Sequence, residues 1–121
     1  QGKKNLKKPY FLLFAAEWCH WCEIFAEKTL TKKKIYSYLN ENFINIFIDA
    51  DIHSTAYKKF KANGVPYTVF LNPDSSVYYK YSGALYEEPF FEVIEGVVQN
   101  IKKGMNVDGE EAITFEKLIP I

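Results

Sequence analysis

The spacing of hydrophobic residues changes twice in the first half of the chain. Tyr10 to Ala16 is a continuous apolar run, short enough to be a strand that is buried on both faces. From Cys19 to Asn40 apolar residues recur at helical spacing, with a break or kink over Thr29 to Lys34. Phe43 to Asp49 alternates and is rich in Ile, which favours a central strand. This half therefore predicts a strand, an interrupted helix and a second strand.

The middle of the chain predicts a short helix followed by a hairpin. Ser54 is suited to cap a helix that ends at Gly64. Two strand-like runs, Tyr67 to Leu71 and Val77 to Ser82, flank the turn-forming residues Asn72 to Ser76. Such a short connection predicts that the two strands pair antiparallel.

The last predicted element is an amphipathic helix from Glu87 to Lys103, stopped by Gly104. Its apolar positions follow the i, i+3, i+4, i+7 pattern and are Phe90, Phe91, Ile94, Val97, Val98 and Ile101. The element order predicts an α/β fold with a central mixed sheet of about four strands and helices on both faces. The tail from Met105 to Ile121 has weak signals, although Ile113, Phe115, Leu118 and Ile119 are apolar enough to pack.

Composition narrows the class of protein. With 121 residues and 48% hydrophobic content, we expect one domain over residues 1–121 and a monomer. No apolar run is long enough for a membrane span. The chain has 15 basic and 15 acidic residues, and every basic residue is Lys. Because the chain has no Arg and no net positive charge, nucleic acid is not an expected partner. The chain begins with Gln1 rather than Met, and we expect its natural start to lie upstream.

The candidate chemistry lies in the pair Cys19 and Cys22, where the first strand meets the first helix. At a helix start, free N–H groups and the positive end of the helix dipole stabilise a thiolate, so Cys19 is the predicted attacking sulfur. The spacing of three brings Cys22 back within reach, so Cys22 can resolve a mixed disulfide formed at Cys19. Trp18 and Trp21 supply apolar surface, and a protonated His20 adds positive charge beside the sulfur.

Other interpretations of the cysteines stay open. They could form a structural disulfide, although so small a loop constrains the unfolded chain little. A zinc site would need four ligands, and the soft candidates are Cys19, Cys22, His20 and His53. We favour redox exchange, with no cofactor and no metal, and we expect His53 to be a surface residue.

The motif from Ala16 to Cys22, together with Gly64-Val65-Pro66 and Gly83-Ala84, resembles the thioredoxin superfamily over most of the chain. The run from Cys22 to Asp49 is most similar to bacterial periplasmic thioredoxin-like proteins. These include the SoxW-like group and the C-terminal domain of the membrane thiol reductant transporter. A Trp-Cys-x-x-Cys motif with a later Val-Pro is a strong combined signal.

The resemblance implies a substrate-binding groove. The Val65–Pro66 bond is implied to be cis, and the backbone of Val65 is implied to pair with an extended substrate segment. Trp18, Trp21, Pro66 and Gly83 are implied to complete the groove, with Gly83 leaving room for the substrate. Without the cysteines, Pro66 and Gly83 would equally fit an ordinary strand start and a turn.

The chain departs from the family pattern around the second cysteine. Thioredoxins carry a buried Asp six residues before the first Cys, where this chain has Leu13. The transporter domain has Glu four residues after the second Cys, where this chain has Ala26, and the adjacent Glu27 points roughly 100° away around a helix. Removal of the proton from Cys22 then relies on Glu17, on water or on the leaving substrate thiolate. The N-terminal β-α unit of full thioredoxins is also expected to be missing.

Two functions follow. The first is a thiol–disulfide oxidoreductase of an exported, periplasmic pathway, more reductase-like or isomerase-like than a general cytosolic thioredoxin. Its partners would be protein thiols and disulfides and an upstream electron donor or acceptor. The dipeptide His20-Trp21 between the cysteines matches neither that of thioredoxins nor that of isomerases, so the resemblance does not imply a redox direction. The alternative is a non-catalytic binding module or holdase that uses the aromatic groove.

Overall fold

A computed structural model of the chain describes residues 7–106. In chain order the elements are β1 (Tyr10–Ala15), α1 (His20–Phe25), a π-helical turn (Ala26–Leu30), α2 (Lys33–Asn42), β2 (Ile44–Asp49), α3 (Ser54–Lys59), β3 (Tyr67–Leu71), β4 (Val77–Ser82) and α4 (Glu87–Asn106). The apolar positions of the tail, Ile113 to Ile119, lie outside the described residues.

The four described strands form one mixed sheet in the order β2-β1-β3-β4. β1 and β2 are parallel, with Tyr10 opposite Ile44 and Ala15 opposite Asp49, because two helices carry the chain from one strand to the next. β3 pairs antiparallel with β1. It also pairs antiparallel with β4, to which the short turn after Leu71 joins it. The predicted α/β fold with a four-stranded mixed sheet is confirmed.

β1 is the centre of two hydrophobic cores. Phe11 and Leu13 pack into the core formed with α2 and α4, whereas Leu12 and Phe14 pack into the core on the α3 side. Successive side chains of a strand point to opposite faces, so a strand covered on both faces has no polar side. Burial of both faces of β1 therefore explains the continuous apolar run in the sequence. The run ends where the chain leaves the sheet toward Cys19.

The predicted break near Thr29 is a π-helical turn followed by a new helix that begins at Lys33. The Thr29 side chain is fully buried, and its hydroxyl donates a hydrogen bond of 2.6 Å to the Leu85 carbonyl. Thr29 therefore ties this turn to the segment before α4, a long-range contact that helical periodicity does not contain.

Three predicted helix boundaries are wrong. Ser54 is the first residue of α3 rather than its cap, and the cap residue His53 makes no side-chain capping bond. α3 ends at Lys59 instead of reaching Gly64, because the chain turns through Lys61 at a φ of 59°. α4 continues through Gly104, since one internal glycine costs only about 1 kcal/mol.

Candidate active site

Cys19 lies at the N-cap of α1, directly beyond the end of β1. A turn leads into it, in which the Cys19 N–H donates to the Ala16 carbonyl at 3.1 Å. The Cys19 Sγ accepts a hydrogen bond of 3.1 Å from the Cys22 N–H. The sulfur therefore takes the place of the side-chain oxygen that usually caps a helix, where a negative charge is stabilised. Both cysteines are free thiols, with exposed fractions of 7% for Cys19 and 9% for Cys22.

Cys22 lies in a different environment. Its pKa is raised from the ordinary value of 9.0 to about 12, first by burial and second by its side-chain hydrogen bond with Cys19, against a smaller lowering effect from the Ala16 backbone. An apolar cavity of about 170 Å³ adjoins it. The cavity is lined by Leu13, Ala15, Cys22, Phe25, Ala26, Leu30, Phe47 and Pro66. The Cys22 thiol is therefore neutral at physiological pH.

Leu13 stands where thioredoxins carry an Asp, Ala26 stands where the transporter domain carries a Glu, and both line the cavity beside Cys22. Neither side chain can accept a proton. The sequence also named Glu17 as a possible acceptor, but Glu17 lines two other pockets, beyond the ends of β1 and β2, and not this cavity. The lining of the cavity thus provides no proton acceptor for Cys22.

The Val65–Pro66 segment lies against the cysteines. The Val65–Pro66 peptide bond is cis, and the Cys19 thiol lies 3.5 Å from the Val65 carbonyl oxygen, to which it donates. The Val65 N–H makes no hydrogen bond with any other residue in the described range. Pro66 contributes to the cavity beside Cys22, and its carbonyl accepts from the Gly83 N–H at 2.9 Å. The residue whose carbonyl faces the candidate nucleophile therefore also has an N–H without a partner among residues 7–106.

Gly83 adopts a backbone conformation that favours glycine. Its φ is +116°, a conformation that residues with a Cβ rarely adopt, and an added Cβ would meet no atom within 4 Å. The turn that the sequence offered as the other interpretation of Gly83 is therefore present, and room for a substrate beside it stays a prediction. The glycine allows the turn that hydrogen-bonds to Pro66.

Two exposed indoles flank the cysteines. Trp18 is 70% exposed and Trp21 56% exposed, and the Trp18 Nε1–H donates a hydrogen bond of 2.8 Å to the Asp51 carboxylate. Sequence reasoning missed Asp51. It follows β2, and because β1 and β2 are parallel, the residues after both strands meet at one edge of the sheet. That rule could have placed Asp51 near the cysteines.

His20 and Trp21 are surface residues of α1. Their rings pack edge to face with centroids 5.8 Å apart. The His20 Nδ1 lies 3.9 Å from a Glu23 carboxylate oxygen, and both side chains are largely exposed. A solvated pair at this distance contributes little. His20 therefore lies beside the cysteines without a fixed charge partner.

The described part of the chain offers no group of three or more His, Cys, Asp and Glu side chains arranged to hold a metal ion. His53 is exposed at the start of α3. Within residues 7–106, no helix is both long and apolar enough to traverse a bilayer.

A cysteine pair at a helix N-terminus, facing a Val–Pro segment at the edge of a mixed sheet, defines the class: a thioredoxin-fold thiol–disulfide oxidoreductase. The chain belongs to the family described as Thioredox_DsbH, protein of unknown function, DUF255, whose family model matches residues 1–113. The resemblance to the thioredoxin superfamily is thereby confirmed. No match was found among curated protein sequences.

Solved structures agree with this assignment. The oxidised DsbD C-terminal domain of Neisseria meningitidis is 27% identical, with a TM-score of 0.61 over 73% of this chain and 78% of that chain. A thioredoxin-fold protein from Helicobacter pylori has a TM-score of 0.75 at 17% identity, over 93% of this chain and 80% of that chain. A DsbH oxidoreductase has a TM-score of 0.67 at 14% identity, over 77% and 74%. The last two show the fold alone.

Proposed function

We propose that this protein exchanges disulfides with protein substrates, in the manner of a reductase or an isomerase, with Cys19 as the attacking thiolate and Cys22 as the resolving thiol. The observation that carries the proposal is the position of the Cys19 sulfur. It accepts the Cys22 N–H at the helix start and lies 3.5 Å from the Val65 carbonyl. When Cys19 ionises, its thiolate still accepts the hydrogen bond from the Cys22 N–H. It no longer donates to the Val65 carbonyl, which becomes available to a substrate.

In the first step, the Cys19 thiolate attacks one sulfur of a substrate disulfide. The substrate S–S bond breaks, a bond forms between the Cys19 sulfur and that substrate sulfur, and the other substrate sulfur leaves as a thiolate. An extended substrate segment can pair with the free Val65 N–H and with the Val65 carbonyl. Trp18, Trp21 and Pro66 form the apolar sides of this groove.

In the second step, the Cys22 thiol loses its proton, either to the thiolate that has just left or to water, and attacks the Cys19 sulfur. The mixed disulfide breaks, the Cys19–Cys22 disulfide forms, and the substrate leaves as a second thiolate. Two electrons have passed to the substrate, so a thiol donor must reduce the pair before the next cycle. An isomerase stops earlier, when a substrate thiolate displaces Cys19 and forms a new substrate disulfide.

Reduction of a small disulfide-bonded protein, with dithiothreitol as the electron donor, tests the proposal. The wild type should accelerate reduction, and Cys19→Ser should reduce the rate to that of dithiothreitol alone. The Thr31→Ser variant, changed at an exposed residue away from the cysteines, serves as a folding and purity control. Equal activity in the wild type and in Cys19→Ser would end the proposal.

The exposed indoles Trp18 and Trp21 also favour a second function, a non-catalytic binding module or holdase that keeps its disulfide closed. That function requires a disulfide too stable for physiological thiols to reduce. A redox titration of the Cys19–Cys22 pair against glutathione separates the two functions. A pair that is reduced within the range buffered by glutathione supports catalysis, and one that stays oxidised throughout supports the holdase.

We extend the proposal to the setting of the protein. Its sequence similarity to a DsbD C-terminal domain supports action in an exported, periplasmic pathway rather than in the cytoplasm. We also propose a monomer with one domain over residues 1–121. Cell fractionation of the natural gene product tests the location, and light scattering with limited proteolysis tests the other two points.

A further inference from the structure

A second surface continues from the active site past Trp18. It is an open pocket of about 640 Å³ beyond the ends of β1 and β2, lined by Glu17, Trp18, Asp49, Asp51 and Ile52. We call it the Trp18–Ile52 surface. Its two apolar side chains are the most exposed large hydrophobic residues in the described part of the chain, at 70% for Trp18 and 74% for Ile52. Trp18 and Asp51 also line the groove that reaches Val65, so the two surfaces are continuous.

The charged residues that line this surface are all acidic. Glu17, Asp49 and Asp51 line the pocket with the two apolar side chains, and none of the lysines or histidines in residues 7–106 lines it. The side chains of Asp49 and Asp51 accept hydrogen bonds from neutral donors: backbone N–H groups donate to Asp49 and the Trp18 indole donates to Asp51. Among residues 7–106, none of the three carboxylates forms an ion pair. A chain with zero net charge thus presents a negative, partly apolar surface beside its nucleophile.

We propose that the Trp18–Ile52 surface docks a basic segment of the protein partner, with Lys or Arg a few residues from the partner cysteine. The aliphatic stem of such a side chain can lie on the Trp18 ring, with its cation near Glu17 and Asp51. An acidic segment would meet three like charges instead. The inference rests on the proposed function and specifies its substrate class.

Two synthetic peptides provide the test. Each carries one cysteine as a mixed disulfide with 2-nitro-5-thiobenzoate, and the flanking residues are Lys in one peptide and Glu in the other. Attack by Cys19 on the peptide sulfur releases the coloured thiolate, and its rate is measured in a single turnover. We expect the Lys peptide to react about tenfold faster at low salt, and added salt to shrink this ratio.

Glu17→Gln and Asp51→Asn remove charge while keeping the side-chain shape, and Asn at position 51 can still accept from the Trp18 indole. The double variant should bring the ratio between the peptides to below about threefold. Glu41→Gln, changed at an exposed acid of α2, removes a charge outside the surface and should keep the ratio. If Glu17 only tuned the sulfur, both peptides would slow equally and the ratio would stay.

The outcomes are distinct. Equal rates for the two peptides with the wild type, or an unchanged ratio in the double variant, overturn the docking proposal and leave the proposed function intact. No reaction of the wild type with either peptide overturns the proposed function and, with it, the docking proposal.

Discussion

The two cysteines lie one helical turn apart in opposite environments. The buried Cys19 sulfur receives a backbone N–H at the helix start and lies 3.5 Å from the Val65 carbonyl oxygen. Cys22 faces a small cavity in which every other lining residue is apolar. The same motif therefore places one sulfur where charge is stabilised and the other where charge is penalised. The site therefore favours capture of a substrate by Cys19 more than its release by Cys22.

This difference indicates which step limits turnover. Attack by Cys19 needs only a thiolate at a helix start, whereas release requires Cys22 to give up a proton although its pKa is about 12. With Leu13 and Ala26 in place of the acids of thioredoxins and of the transporter domain, we expect the proton to leave through water or the substrate. We therefore expect the mixed disulfide to be the longest-lived covalent species of the cycle.

The largest effect should come from removing one sulfur at a time. Cys22→Ser should capture one substrate per molecule and then stop, lowering multiple turnover by about 1,000-fold or more. Cys19→Ser should capture none, because the Cys22 thiol, with its raised pKa beside the apolar cavity, stays neutral. Non-reducing electrophoresis after acid quenching counts the trapped complexes. Accumulation of complexes on Cys19→Ser would reverse the roles assigned here.

A carboxylate beside the apolar cavity should speed release of the substrate by Cys22 relative to capture by Cys19. Ala26 lines the cavity beside Cys22 at an otherwise exposed position, so Ala26→Glu puts a carboxylate there that can act as a general base for the Cys22 thiol. The mixed disulfide should then resolve about 10- to 100-fold faster at neutral pH. Rapid quenching measures its lifetime.

The matched control for this experiment is Ala26→Gln, which adds nearly the same volume without a base. It should resolve no faster than the wild type. If Gln and Glu accelerated resolution equally, the cavity would act through packing and the absence of an acid would not limit the reaction.

The raised pKa of Cys22 predicts how stability depends on pH. Below about pH 9 the thiol is neutral in both the folded and the unfolded state, so its contribution is fully present. As pH rises from about 9 to about 12, the unfolded state loses the proton first, and the reduced protein should lose stability in that window. Urea unfolding at several pH values measures the loss.

Cys22→Ser is the control for the stability measurement, because it has no thiol to ionise at this position. The extra loss should be present in the reduced wild type and absent from the variant. Parallel curves for the two proteins would show that Cys22 has an ordinary pKa.

Much of the fold was readable from local patterns. The buried strand β1 was visible as an apolar run because both of its faces are covered, and the hairpin was visible from the turn residues around Pro73. The end of α3 was not, because Lys61 takes the left-handed C-cap conformation that usually favours glycine, with its N–H donating to the Lys58 carbonyl. The π-helical turn is tied by the buried contact of Thr29 with Leu85, which is 56 residues away.

The site was readable where chemistry and spacing coincide, as in Cys19, Cys22 and the Val65–Pro66 pair. It was not readable where topology brings distant residues together. Asp51 bonds to Trp18 only because two parallel strands end at one edge. The positive φ of Gly83 agrees with the turn that the sequence offered for it. Sequence patterns name reactive atoms more readily than the residues that position them.

The smallest effect should come from His20, although it stands between the two cysteines. Its contact with Glu23 is 3.9 Å long and exposed to solvent, and its ring lies against Trp21 rather than over a sulfur. Water screens such a charge, so His20→Gln should change the rate of Cys19 alkylation by less than about threefold. Iodoacetamide kinetics at pH 6 and pH 8 provide the measurement, with Glu23→Gln as the control for the pair. A tenfold loss in His20→Gln alone would mean that the imidazolium, together with the helix start, holds the thiolate.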